Sequence, residues 1–138
     1  MLECLIIGDS IAQGVAALRP ECAHYTQVGI NSKDFNHKHR VTFSGDTVII
    51  SLGTNDNKYV DTYQELIKLR LRIESKRVIW ILPHAVNPKS GSNIEIVQAS
   101  VQSIADAQGD IVVKIPEPTA DNYHPTGKGY RELAKETK

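Results

Sequence analysis

Leu5-Ile6-Ile7-Gly8-Asp9-Ser10 and, further along, Val48-Ile49-Ile50-Ser51-Leu52-Gly53-Thr54-Asn55-Asp56 have the same layout: an aliphatic run that reaches a glycine and gives way to polar residues. A strand with one wet face alternates apolar and polar residues, whereas a strand covered on both faces reads as a continuous apolar run. These runs therefore predict strands buried between two helical layers, the first over Leu2 to Ile7 and a central one over Val48 to Leu52. Val78-Ile79-Trp80-Ile81-Leu82, stopped by Pro83, and Ile111-Val112-Val113-Lys114-Ile115, stopped by Pro116, read the same way. A weaker strand is expected around Tyr25 to Val28.

The segments between the strands carry a helical period. A helix is expected to begin near Ile11. Leu66, Leu69 and Ile73 recur at helical spacing after Tyr59, and Ile94, Val97, Val101 and Ile104 do so before Gly109 closes the turn. A last helix begins at Thr126, with Pro125 suited to its first turn and Tyr130 and Leu133 facing the core. Strands alternating with helices predict a parallel sheet, helices on both faces and right-handed crossovers, in one α/β domain over residues 1–138. Pro88 to Asn93 reads as a polar loop. Asn31 to Gly45, which holds His37 and His39, has no readable period and is expected to be irregular and mobile.

Composition narrows the function classes. Sixteen basic and sixteen acidic residues balance, so no global field draws the chain to nucleic acid or an anionic membrane. The apolar runs are far shorter than the ~20 residues that span a bilayer. Met1-Leu2-Glu3-Cys4 lacks a basic leader region, which gives an expectation of a cytoplasmic protein, with export by another route left open. Cys4 and Cys22 have neither a disulfide-framework pattern nor metal-ligand spacing, and Cys4, inside a strand, reads as a buried free thiol.

The polar residues that follow the strands are the candidates for chemistry. Ser10 reads either as a cap of the following helix or as a nucleophile at a helix N-terminus, where backbone amides favour developing negative charge. Asn55 reads either as a turn residue or as an amide donor beside Ser10. Gly29 reads as a turn glycine or as a point where a backbone N–H meets a ligand. His124 stands in the polar stretch Asp121-Asn122-Tyr123-His124-Pro125. Asp121, three residues earlier, either caps a turn or holds one imidazole nitrogen, leaving the other for the serine proton. His24 and His84 read as surface or loop residues, and no group of His, Cys and carboxylates has zinc spacing.

Taken in order, Gly8-Asp9-Ser10, Gly29, Gly53-Thr54-Asn55-Asp56 and Asp121-Asn122-Tyr123-His124-Pro125 resemble the SGNH hydrolase superfamily, also called GDSL-type esterases and lipases. The resemblance spans the whole chain. It implies a three-layer α/β/α, flavodoxin-like domain with a five-stranded parallel sheet in strand order 2-1-3-4-5. It also implies Ser10 as nucleophile, His124 as general base and then acid, and Asp121 as the group that orients His124. The oxyanion hole would comprise the N–H groups of Ser10 and Gly29 and the Asn55 amide. The family hydrolyses esters of sugars, short acyl groups, thioesters and lipids, so the resemblance implies a small-molecule or glycan acyl ester as substrate and no metal or organic cofactor.

Two departures are visible: Ile11 replaces the family's leucine after Gly-Asp-Ser, and Ser32 stands where a further glycine often occurs. The chain is also short for the family, which predicts trimmed loops and an open site suited to a substrate carried on a polymer. An acetyl esterase acting on carbohydrate is the leading reading, with a short-chain lipase or thioesterase as the alternative. A phosphate-cradling binding module is the rival, but the first turn lacks the glycine pattern of a dinucleotide or P-loop site.

Overall fold

The computed structural model describes residues 3–138. Leu2, the predicted start of the first strand, lies outside the described residues. Strands β1 (Cys4–Gly8), β2 (Ala23–Thr26), β3 (Phe43–Ser51), β4 (Ile73–Leu82) and β5 (Ile111–Lys114) form one parallel sheet in the order β2-β1-β3-β4-β5. Helices α1 (Ser10–Ala17), α2 (Ser32–Lys38), α3 (Thr62–Arg70), α4 (Ile94–Gln108) and α5 (Gly127–Glu136) fill the crossovers and close the chain.

Alternate side chains of the central strands feed two separate cores. Leu5, Ile7, Val48, Ile50 and Trp80 join Phe35, Leu66, Leu69, Val101 and Ile104 under α2, α3 and α4. Ile6, Ile49, Ile79 and Ile81 point the other way, against Ile11 and Val15 of α1 and Leu133 of α5. Strands sandwiched in this way bury both faces, which explains their unbroken apolar runs. Tyr130 packs at the edge of the second core.

Several sequence expectations need correction. Ile73 does not continue α3: Leu71 caps that helix, and Ile73 opens β4, paired with Phe43 and buried against the sheet. The segment Asn31 to Gly45 holds α2 and the start of β3, joined by residues 39–42. The Asn31 side chain caps α2 by accepting from Asp34 N, and β3 starts at Phe43, with Phe35 and Phe43 stacked in the core. Of the polar residues that hid this helix, Lys33, Asp34, His37 and Lys38 are exposed, while Ser32 is buried and Asn36 partly so. Pro125 precedes the α5 cap, Thr126, and pairs with Thr119 in an isolated antiparallel bridge.

Cys4 and Cys22 are bonded to each other, not free. They lie on β1 and just before β2, neighbouring strands, and pairing in the sheet brings the two sulfurs together although eighteen residues separate them. A bonded pair removes the support that free thiols gave to a cytoplasmic expectation, because disulfides persist mainly in oxidising compartments.

Buried polar side chains are used as ties between elements. Asp110 accepts from Arg70 Nε and a terminal guanidinium nitrogen (2.8 and 2.9 Å) and from Trp80 Nε1 (2.9 Å), joining the end of α3, β4 and the turn into β5. Arg19 reaches from the end of α1 to the Ala134 carbonyl and Thr137 hydroxyl of the α5 terminus.

Replacing both cysteines with alanine is expected to cost about 3 kcal/mol, the loop-closure contribution of a ring this size. Denaturant unfolding checks this, and reductant should move the wild-type midpoint by a similar amount. An unchanged midpoint would mean that the bond contributes nothing to stability.

Candidate functional site

The sheet order makes a crevice. From β1 the chain crosses to β2 on one side and then returns to β3 on the other, so the loops leaving β1 and β3 diverge at their carboxyl ends. Ser10 follows β1 and Asn55 follows β3, at this point of divergence. Gly8 makes the close approach possible. Its φ is +138°, and a Cβ there would lie 1.9 Å from the Ser51 carbonyl oxygen, so no other residue fits.

Asp9, not Ser10, is the cap of α1. Its Oδ1 accepts from Ile11 N (3.0 Å), from Ala12 N (3.4 Å) and from the Ser51 hydroxyl (3.1 Å). Ser10 is thereby the first residue of the helix, with its N–H ahead of the intrahelical ladder and its hydroxyl released from capping. That hydroxyl lies 2.8 Å from His124 Nε2. On the far side of the ring, His124 Nδ1 lies 2.7 Å from Asp121 Oδ2.

The loop that carries His124 is fixed by its own hydrogen bonds. Asp121 Oδ1 accepts from the backbone N–H groups of Tyr123 (3.2 Å) and His124 (2.7 Å). Ala120 N donates to the His124 carbonyl (2.9 Å), and Asn122 takes the left-handed conformation that lets the chain turn (φ 76°). The Tyr123 ring packs on the imidazole at 4.3 Å.

The two carboxylates near Ser10 differ in electrostatic character. Asp121 is exposed; the slight burial that raises its pKa is outweighed by donation from the His124 ring and from two backbone N–H groups, which holds it below the ordinary carboxylate value. It is an anion poised to stabilise a protonated imidazole. Asp9 has no exposed surface, and its Oδ2 has no hydrogen-bond partner among the described residues. Burial pushes its carboxyl up to about 6, against the opposing Ser51 and backbone donors. Burial, with both carboxylates nearby, also lifts the Tyr130 phenol to about 12, so it stays neutral.

The predicted oxyanion donors come from adjoining loops. Gly29 is exposed with a φ of +79°, and the space where its side chain would stand is open. Asn55 Nδ2 donates to the Ile30 carbonyl at 3.3 Å, which sets the amide against the Gly29–Ile30 loop and leaves its second N–H available. Asn87, which the sequence reading did not single out, donates to Asn55 Oδ1 at 3.4 Å and so opposes a flip of that amide.

Asp56 braces the same pair of loops. Its carboxylate accepts from Ser32 N (2.8 Å), the Ser32 hydroxyl (2.7 Å) and the Thr62 hydroxyl (2.7 Å), fully out of solvent. Burial still pushes that carboxyl above its usual value. Ser32, noted in the sequence only as a departure from a glycine, is half of this brace. Its adjacency to the Gly29 segment was the available signal. His24, His37, His39 and His84 take no part in the cluster; His84 instead faces Glu117 at 3.7 Å. Cys4, Cys22 and Glu21 lie together, but the two sulfurs are committed to each other.

No protein-family model matches the chain, and no curated protein matches it in sequence. Its shape does have matches among solved structures. A GDSL-like lipase from Bacteroides thetaiotaomicron superposes with a TM-score of 0.72 at 19% identity, covering 97% of this chain and 84% of that one. The chain shares that fold, a five-stranded parallel sheet in the order 2-1-3-4-5 between helices. An extracellular lipase from Streptomyces rimosus is similar over 100% of both chains (TM-score 0.62, 14% identity). The C-terminal catalytic domain of a Streptococcus pneumoniae peptidoglycan O-acetyltransferase is similar over 99% of this chain and 96% of that one (TM-score 0.61, 13% identity).

The fold buries Asp9 in a way that should be visible in stability. A folded-state pKa of about 6 exceeds the usual carboxylate value, so the neutral form is favoured by folding and the contribution is lost as pH rises through about 6. Asp9→Asn keeps the Oδ1 acceptor and removes the charge. Relative to wild type it is expected to gain up to about 3 kcal/mol between pH ~4 and pH ~8, measured by denaturant unfolding at both. The same difference at both pH values would show that Asp9 does not titrate in this window.

Proposed function

We propose that this protein is a serine esterase that removes short acyl groups, acetyl foremost, from carbohydrate by way of an acyl-Ser10 intermediate. The observation that carries the reading is the continuous chain Ser10 Oγ–His124 Nε2–Asp121 at 2.8 and 2.7 Å, assembled from the two ends of the sequence at the carboxyl edge of a parallel sheet. Such a chain has one clear chemical use: moving a proton off a hydroxyl and stabilising the resulting imidazolium.

In the first half-reaction Ser10 Oγ attacks the ester carbonyl carbon while His124 Nε2 takes the hydroxyl proton. The tetrahedral oxyanion is met by the N–H groups of Ser10 and Gly29 and the free N–H of Asn55, with the α1 dipole adding to them. Its collapse breaks the bond to the alcohol, which leaves with the proton held by His124. Water then attacks the acyl carbon as His124 takes its proton; collapse breaks the acyl–Ser10 bond, His124 returns the proton to Ser10 Oγ, and the carboxylic acid is released. Asp121 remains ionised throughout, and the reaction uses only groups of the chain itself.

Substrate class is read from the rim. The segments near the site, residues 31–40 and 87–93, are polar in composition, which suits hydroxyl-rich partners. Burying a long acyl chain would require apolar surface worth ~0.8 kcal/mol per methylene, and the buried aliphatic side chains of this domain are already committed to its two cores. One protein of the same fold is named for acetyl transfer to peptidoglycan, an acetyl group on a glycan, which supports the same direction.

Ser10→Ala and His124→Ala are each expected to lower kcat on p-nitrophenyl acetate at least ~10³-fold with folding intact, and the double variant to be little worse than either. If Ser10→Ala keeps more than about a tenth of the wild-type kcat, the serine assignment falls. Across p-nitrophenyl esters from C2 to C12, kcat/KM is expected to drop steeply beyond C4. A preference for C8 or C12 would favour a lipase or thioesterase instead.

A further inference from the structure

On the face of the domain formed by α2 and α3, a groove of about 790 Å³ runs between the two helices, within the ~300–1,000 Å³ of small-ligand sites. Lys33, His37, Arg40, Lys68 and Arg72 line it, against two acids, Asp34 and Glu65. The whole chain is electrically balanced, so this is a local excess of positive charge.

The two acids do little to neutralise it. Asp34 accepts from the Asn31 amide at the start of α2 (3.2 Å). Glu65 accepts from Asn36 Nδ2 (3.1 Å) and lies 3.8 Å from Lys68. Among the described residues, Lys33, Arg40 and Arg72 have no carboxylate within ion-pairing distance.

Arg72 is the clearest case. Its guanidinium is half-buried and held in place by neutral acceptors only: the carbonyls of His39 and Val41, and Asn36 Oδ1 at 2.7 Å. The Phe43 ring packs against it at 5.7 Å. Arg40 likewise donates to the His37 carbonyl and ring. Burial works against the Arg72 charge, and no carboxylate among the described residues lies within ion-pairing distance to supply the counter-charge that a partly desolvated guanidinium calls for. An anionic ligand would supply it.

The groove is also joined to the candidate site. α2 starts at Ser32, whose N–H and hydroxyl are bound by Asp56 beside Asn55, and Lys33 is the next residue. From Lys33 the groove runs along α2 and α3 to Arg40 and Arg72, which lie by the amino ends of β3 and β4, so a polymer with one unit at Ser10 would occupy it with units farther along the same chain. We propose that this groove binds the anionic groups of an acidic glycan, the same polymer that carries the scissile ester. This rests on the esterase reading for the ester, but not for the binding.

The test uses the full chain and the Lys33→Glu/Arg40→Glu variant. Both residues are exposed and lie outside the Ser10–His124–Asp121 cluster. Calorimetric titration with oligogalacturonate is compared with a neutral xylo-oligosaccharide of equal length, inorganic sulfate, and a single-stranded oligonucleotide. The expected result is tightest binding of oligogalacturonate, weakened at least ~10-fold in the variant, while turnover of p-nitrophenyl acetate is unchanged. Equal binding of the neutral sugar, equal binding of sulfate per charge, tighter binding of the oligonucleotide, or an unaffected variant would each overturn the proposal. Loss of the esterase reading would register separately, as absent p-nitrophenyl acetate turnover with oligogalacturonate binding intact.

Discussion

Asp9 sits out of solvent between the ends of the two central strands, and the arrangement of Ser10 follows from it. One carboxylate oxygen gathers the N–H groups of Ile11 and Ala12, the second and third residues of α1, and the Ser51 hydroxyl at the end of β3. Because Asp9 supplies the cap, Ser10 enters the helix as its first residue and its hydroxyl points to His124 rather than folding back on the backbone. The bond from Asp9 N to Ser51 O (3.0 Å) fixes the same junction from the main chain. A group so placed is costly to ionise, because an unsatisfied buried carboxylate oxygen loses hydration without replacement. The cost falls where Asp9 sets the position of Ser10 against His124.

The rest of the site divides into a frame and a presented group. The frame is the switch point of the sheet, where Gly8 brings backbone against backbone and Asp56 locks the β3–α3 loop to the start of α2. The predicted oxyanion donors lie at the start of α1 and on the two loops that Asp56 and Asn55 tie together. The presented group is His124, on a loop outside the sheet that is held by the Thr119–Pro125 bridge and by the Asp121 carboxylate. Asp121 is therefore both the loop's internal brace and the partner of the imidazole. Donation from the His124 ring and two backbone N–H groups holds Asp121 below the ordinary carboxylate value, whereas burial raises Asp9; environment, not residue type, separates the two.

The strands, the parallel sheet and the candidate residues could be read from the sequence because their signals are local. Continuous β-branched runs such as Val48 to Leu52 arise only where both faces are covered, and a polar residue after such a run marks the edge where α/β proteins place chemistry. Ser10, Asn55, Asp121 and His124 each carried that positional mark. What the residues could not supply was any pairing across distance. Cys4 and Cys22 look unrelated until β1 and β2 lie side by side. Ile73 keeps the spacing of the helix before it, and only its partnership with Phe43 makes it a strand residue. The helix over Ser32 to Lys38 hides because Phe35 is its one large apolar side chain, too few for a period to show.

The sequence by itself determined the class of fold and the chemical identity of the groups at the strand ends, because apolar patterning and residue type act over a few neighbours. The tertiary structure alone decided which of those groups meet. Closure of the sheet sets Ser10 against His124 over 114 residues of chain, turns Asp9 into a buried cap, and makes Ser32 and Asp56 one brace. These contacts depend on burial and on the direction of side chains across packed layers, and no stretch of neighbouring residues encodes either.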